Sequence, residues 1–207
     1  MPTMDQYRKE YDQFTASVHD LCQQAGIRRA LGTGRGRPVA ECTDMHRYLR
    51  DTRRKPARRA YYTVASLIAL TGAAPQDDHD RPCDAPITPP STDRPLHEKN
   101  STDSAHPASA WFCRPNLGST LATAIHEAGY DEERTEQKLR LLTRLGEDQL
   151  HRRLPSEITR LNGKGLYPDW AVLLGDLVER HYDHHRVNLR WDDAFADVLD
   201  APVLPGT

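Results

Sequence analysis

The sequence predicts an all-α fold, built as two small helical bundles. Three observations carry this reading. Apolar residues recur at three- and four-residue steps through most of the chain. No stretch alternates apolar and polar residues as a half-buried strand would. A segment over residues 75–107 holds 7 of the 15 prolines and separates the two helical parts.

The N-terminal part, residues 1–74, reads as a helical domain. Tyr7, Tyr11, Phe14, Val18, Leu21 and Ala25 form one helical stripe, which Gly26 is expected to end. Thr43 or Asp44 is placed to cap a short helix carrying Met45, Tyr48 and Leu49. Pro56 suits the first turn of a third helix, 57–71, which is nearly apolar from Tyr61 to Leu70 and closed by Gly72. That helix is the expected centre of the N-terminal core. Residues 75–109, rich in Asp, Ser, Thr and Pro, read as an acidic, proline-rich linker or insert.

The C-terminal part, residues 110–200, carries more helices, with 201–207 as a tail. Leu117, Leu121 and Ile125 lie between Asn116 and Gly129. Asp131 caps the next helix, with Glu132 and Glu133 in its first turn and Leu139, Leu142 and Leu145 facing inward. Asp148 is expected to open another, striped by Leu150, Leu154, Ile158 and Leu161. Pro155 within that stripe removes a backbone donor and should kink it. Pro168 starts a helix with Trp170, Leu173, Leu174 and Leu177, and a last one, 185–199, carries Val187, Trp191, Ala194, Phe195 and Val198.

Of the 207 residues, 37% are hydrophobic and 28% charged, and mean hydropathy is −0.76. No apolar run approaches the roughly 18–20 residues of a membrane span. No apolar core of a secretory signal follows the N-terminus, so a cytoplasmic location is expected. Cys22, Cys42, Cys83 and Cys113 are widely spaced and read as free thiols.

The net charge of −2 conceals an uneven layout. Residues 27–60 hold eleven basic groups, ten of them Arg, against three acidic ones, a local +8. Such a cluster attracts phosphate chains, although a solvated face or a partner-protein contact would use the same residues. Within it, Gly32-Thr33-Gly34-Arg35-Gly36-Arg37 follows no strand and lacks the Lys-Ser/Thr ending of a phosphate-binding loop. It reads as a flexible basic loop, offering Arg35 and Arg37. Lys138, Arg144, Arg152, Arg153, Arg160 and Lys164 lie on two successive C-terminal helices. They are either solvated or part of one track with the N-terminal cluster.

Catalytic signals are weak. There is no HExxH motif and no metal-nuclease carboxylate set, and Cys42 with His46, or His19 with Cys22, makes only half of a zinc site. No metal or cofactor is expected. Arg180 and His185 match the Arg-x4-His pattern of helical ribonucleases resembling the HEPN superfamily, and Arg144 with His151 gives a similar spacing. A ribonuclease is therefore the alternative class.

A series of segments carries a more extensive resemblance. They are Gly26-Ile27-Arg28-Arg29-Ala30-Leu31, Met45-His46-Arg47-Tyr48-Leu49, Arg59-Ala60-Tyr61-Tyr62-Thr63-Val64-Ala65, Asn116-Leu117-Gly118, Leu142-Thr143-Arg144, Leu150-His151-Arg152-Arg153-Leu154, Pro168-Asp169-Trp170, and Arg190-Trp191 through Phe195. In order and spacing they resemble the CasB family, the small subunit of the type I-E CRISPR Cascade complex. The resemblance implies a small N-terminal helical domain plus a C-terminal four-helix bundle. It implies no catalysis and two copies within a crRNA-guided surveillance complex. It further implies contact with crRNA-bearing subunits and with target DNA, notably the displaced strand of the R-loop. The family's basic positions fall on Arg28, Arg29, Arg47, Arg134, Arg152 and Arg153. With Arg35, Arg37, Lys138 and Arg144 these make the candidate nucleic-acid-binding set. A purely structural spacer, its arginines facing neighbouring subunits, is a further alternative.

Overall fold

The computed structural model describes residues 3–72 and 111–201. The expected linker over 75–109 lies outside them, as do residues 202–207 of the tail. The described residues contain α-helices and short 3-10 turns and no strand. The all-α class is therefore correct.

Helix α1 (Met4–Cys22) opens on a capping box in which the Thr3 side chain accepts from the Gln6 amide and the Gln6 side chain from the Thr3 amide. It buries Tyr11, Thr15, Val18 and His19. The stripe does not run on to Ala25. Helix α2 (Ala25–Leu31) begins there, with Gly26 inside its first turn and Gln23–Gln24 as the link. Gly26 meets no neighbour and tolerates the helical position, so the glycine signal misplaced the break. Arg28 and Arg29 consequently lie on a helix separate from α1.

Residues 39–54 form 3-10 turns, Val39–Glu41, Thr43–Met45 and Arg50–Arg54, in place of the expected short α-helix. Neither Thr43 nor Asp44 caps it. What holds the segment is burial of Met45 and Leu49 in the core. Helix α3 (Arg58–Thr71) buries every residue from Ala60 to Ala69 and ends on Gly72, whose φ of 62° lies in the left-handed region favoured by glycine.

Helix α4 (Leu117–Ala128) starts with an Asn116–Ser119 capping box and ends at Gly129. Helix α5 (Glu132–Arg144) is capped by Asp131, whose carboxylate accepts from the Arg134 amide at 2.9 Å. Helix α6 (Glu147–Asn162) has Gly146, not Asp148, at its N-cap and continues through the buried Pro155 for its full 16 residues. Helix α7 (Trp170–Arg180) is capped by Asp169, and helix α8 (His184–Leu199) by Asp183.

One hydrophobic cluster runs from Tyr11 through Leu67 and Leu121 to Trp191. Helix α1 packs on α7 and α3, α3 also touches α6 and α7, and α4 lies along α8. At the α4–α8 crossing Gly118 sits so close to the Trp191 backbone that an added Cβ would be 1.9 Å from its carbonyl oxygen. Buried polar ties reinforce these contacts. Arg114 bridges Asp12 of α1 (2.7 Å) and Asp169 (2.8 Å). Asp176 accepts from Trp191 at 2.6 Å and from Arg190. Cys22 and Cys42 are free thiols, whereas Cys113 is disulfide-bonded, contrary to the expectation of four free thiols.

Candidate nucleic-acid interface

Helix α2, the turn after it and the 3-10 segment bring five predicted arginines together. Arg28, Arg29, Arg35 and Arg37 line one open hollow of about 610 Å³, with Thr33, Ala69 and Leu70. Arg29 and Thr33 also line an adjoining hollow of about 430 Å³ that reaches Arg47 and Asp44. Arg28 is partly committed: its Nε donates to the Ala69 carbonyl at 2.9 Å, and its guanidinium lies against Gly72 at the end of α3. Arg47 rests over the Tyr48 ring at 4.5 Å. Arg29, Arg35, Arg37 and Arg47 are exposed, and none makes an ion pair with a described residue.

The same holds for Arg50, Arg53 and Arg54, exposed on the last 3-10 turn. The candidate set omitted them, although the +8 count contained them. The charge count was the available signal, and only the structure separates committed arginines from free ones.

The C-terminal cations behave differently. Buried Glu157 gathers Lys138 (2.9 Å), Arg153 (3.3 Å) and Arg160 (3.6 Å). Arg152 pairs with Asp148 at 3.1 Å, and Arg59 holds the same carboxylate at 2.7 Å. The hydrogen bond from Arg59, followed by its charge and that of Arg152, keeps Asp148 below the usual carboxylate range. Arg134 and Arg144 are exposed and unpaired among the described residues. The predicted set thus divides: a cluster of unpaired N-terminal guanidiniums, and a C-terminal group of which Lys138, Arg152 and Arg153 already hold carboxylates.

The glycine-rich loop is not a loose strap. Gly34 packs on Met45 and Ser66, the Arg35 amide donates to Ser66 Oγ at 2.8 Å, and Arg59 donates to the Gly36 carbonyl at 2.8 Å. Gly36, at φ 70°, lies directly on the His151 carbonyl of α6, where an added Cβ would be 1.8 Å away. Pro155 is the residue whose amide would ordinarily serve that carbonyl. The loop therefore docks where the proline leaves a rung of the helix open.

The ribonuclease pairing is not built. Arg180 is buried under the Trp191 ring and donates to the carbonyls of Thr143 (3.0 Å) and Leu145 (2.8 Å), closing the end of α5. His185 is exposed and lies against His184, their ring centres 4.0 Å apart. His151 is buried beside Thr63, with 2.8 Å between Oγ1 and Nδ1. Burial, assisted by the Arg59 charge, pushes it down to about 3, so it is neutral near pH 7. Cys42 lies against the Pro38 carbonyl and His46 against Tyr62, and no group of three or more His, Cys, Asp or Glu among the described residues could hold a metal. No helix among the described residues is long and apolar enough to cross a membrane.

Fold and surface define an all-helical protein whose distinctive chemistry is a face of unpaired guanidinium groups. Its residues 23–195 match the sequence profile of "CRISPR-associated protein Cse2", and the chain belongs to that family. This agrees with the resemblance carried by the ordered helical segments. Its fold is similar to a chain of a "CRISPR RNA-guided surveillance complex", with 25% identity, a TM-score of 0.64 and coverage of 93% of this chain and 94% of that one. A chain of such a complex described as "pre-nicking" gives 24% and 0.68 at the same coverage, and the M. ruber CasB crystal structure 17% and 0.54, again at the same coverage. No curated protein sequence matches.

Proposed function

We propose that this chain is a non-catalytic small subunit of a crRNA-guided surveillance complex, Cascade. In this reading it binds nucleic-acid backbone and stabilises the R-loop and the displaced DNA strand. Family membership supplies the setting, and the cluster of Arg29, Arg35, Arg37 and Arg47 without carboxylate partners carries the binding role. Guanidinium groups hold phosphate oxygens in pairs and stack on bases. Exchanging a DNA duplex for a guide–target duplex is near energetic balance, so a few backbone contacts shift it. Base pairing supplies the sequence specificity, which suits a face of cations. The partners in this reading are the crRNA-bearing subunits, the crRNA, target DNA and a second copy of the chain.

Binding of a fluorescein-labelled oligothymidylate across a salt series tests it. Changing Arg29, Arg37 and Arg47 together to Ala should weaken binding more than tenfold. It should also flatten the plot of log K against log salt by about 2, since each phosphate contact on a single strand contributes about 0.7. In assembled complex the same variant should incorporate normally and shorten R-loop lifetime. Unchanged binding, or failure to assemble with unchanged oligonucleotide affinity, overturns the reading and leaves the structural spacer.

A further inference from the structure

We propose that the Gly34–Arg37 turn is a preformed phosphate-binding element in which Arg35 is a dedicated contact. The inference rests on the nucleic-acid reading above and specifies one position within it. Arg35 has a φ of 39° and is the only non-glycine residue with positive φ among the described residues. A side chain there is strained in a way that glycine would avoid. The strain is held in place from every direction. The Arg35 amide is fixed by Ser66 of α3, and the Arg37 amide by the Gly34 carbonyl at 2.7 Å. Gly34 leaves room for Met45, and Gly36 is pressed on the α6 backbone while its carbonyl takes a bond from Arg59. Glycine stands on both sides of the strained residue, so the turn accepts glycine readily, yet position 35 carries an arginine.

The guanidinium of Arg35 does nothing for the fold. It is exposed and makes no hydrogen bond or ion pair with a described residue. It lines the hollow with Arg28, Arg29 and Arg37, and its neighbour Gly36 touches the backbone of Arg152 on α6. A strained residue whose side chain contributes no internal contact, set among unpaired cations, is suited to an external anion. The ligand class is a phosphodiester chain: the hollow is open, and several guanidiniums side by side match repeated phosphates better than one small anion. The rigid turn places Arg35 and Arg37 without ordering a loop on binding, which preserves affinity.

The discriminating variant is Arg35→Gly, which removes the guanidinium while suiting the backbone. The expected result is a melting temperature that does not fall, and oligothymidylate binding about tenfold weaker, as loss of one charge-assisted contact gives. The salt slope should fall by about 0.7. Inorganic phosphate as competitor should displace the oligonucleotide poorly from wild type. Gly36→Ala, which keeps both guanidiniums but forces the turn off α6, should also weaken binding. Unchanged affinity in folded Arg35→Gly overturns the proposal. If the Arg29, Arg37 and Arg47 triple variant meanwhile loses binding, the wider nucleic-acid reading stands without it. If neither loses binding, the wider reading falls as well.

Discussion

At the scale of single residues, burial decides what a charge or a histidine is for. Arg180 and Arg29 are the same residue type, but one is enclosed against the carbonyls ending α5 and the other faces an open hollow. His151 has the sharpest consequence. Its folded pKa of about 3 lies below the ordinary 6.5, so the unfolded chain takes up a proton that the folded one refuses. Its contribution is complete above about pH 6.5 and declines by about 1.4 kcal/mol per pH unit as the pH falls toward 3. His151→Gln should cost about 1–3 kcal/mol near pH 7 through the lost Thr63 bond. That gap should narrow when urea unfolding is repeated near pH 5. A constant gap would show that His151 is not held neutral. Asp176, pushed up to about 6 by burial against the pull of Arg190 and Trp191, acts in the opposite sense, so the comparison must be between variants rather than a single acid titration.

At the scale of elements, close backbone approach matters more than propensity. Gly118 is an unremarkable glycine in a helical sequence, yet it sets the α4–α8 crossing. Gly118→Ala should destabilise the protein by about 2–3 kcal/mol, a fall in Tm of roughly 4–12 °C, readable by calorimetry. An unchanged Tm would mean that the crossing is looser than described. The elements themselves were legible wherever a cap and a stripe agreed, as at Asn116–Gly129 and at the α3 run closed by Gly72. They were misread where a local signal was overruled by packing. Gly26 looks like a stop but sits inside α2. Asp148 looks like a cap but serves Arg59, and the 43–49 segment follows burial of Met45 and Leu49 instead of a helical period.

At the scale of the whole molecule, charge count and charge availability differ. The +8 segment was visible in the sequence, and it contains the unpaired N-terminal arginines of both hollows. Arg152 with Asp148 and Arg153 with Glu157 are i,i+4 pairs within α6, which the spacing alone allowed. That Glu157 would be buried and also engage Lys138, and that Asp148 would also hold Arg59, was not visible, because those pairings depend on how α5, α6 and α3 meet. Changing Arg152 and Arg153 together to Ala should weaken oligothymidylate binding by less than about threefold, whereas Arg29 and Arg37 together should cost about tenfold or more. Equal losses in a fluorescence titration would restore a single track across both parts. The missing rung at Pro155 has one more effect at this scale. Before it, α6 is fastened to the N-terminal part through Asp148, His151 and the Gly36 contact. After it, α6 is fastened to the C-terminal helices through Glu157 and through the Arg160 carbonyl, which Tyr130 bonds at 3.0 Å. The weakest link of that helix therefore coincides with the change of allegiance along it, and a bending motion between the two ends of the protein would find its pivot there.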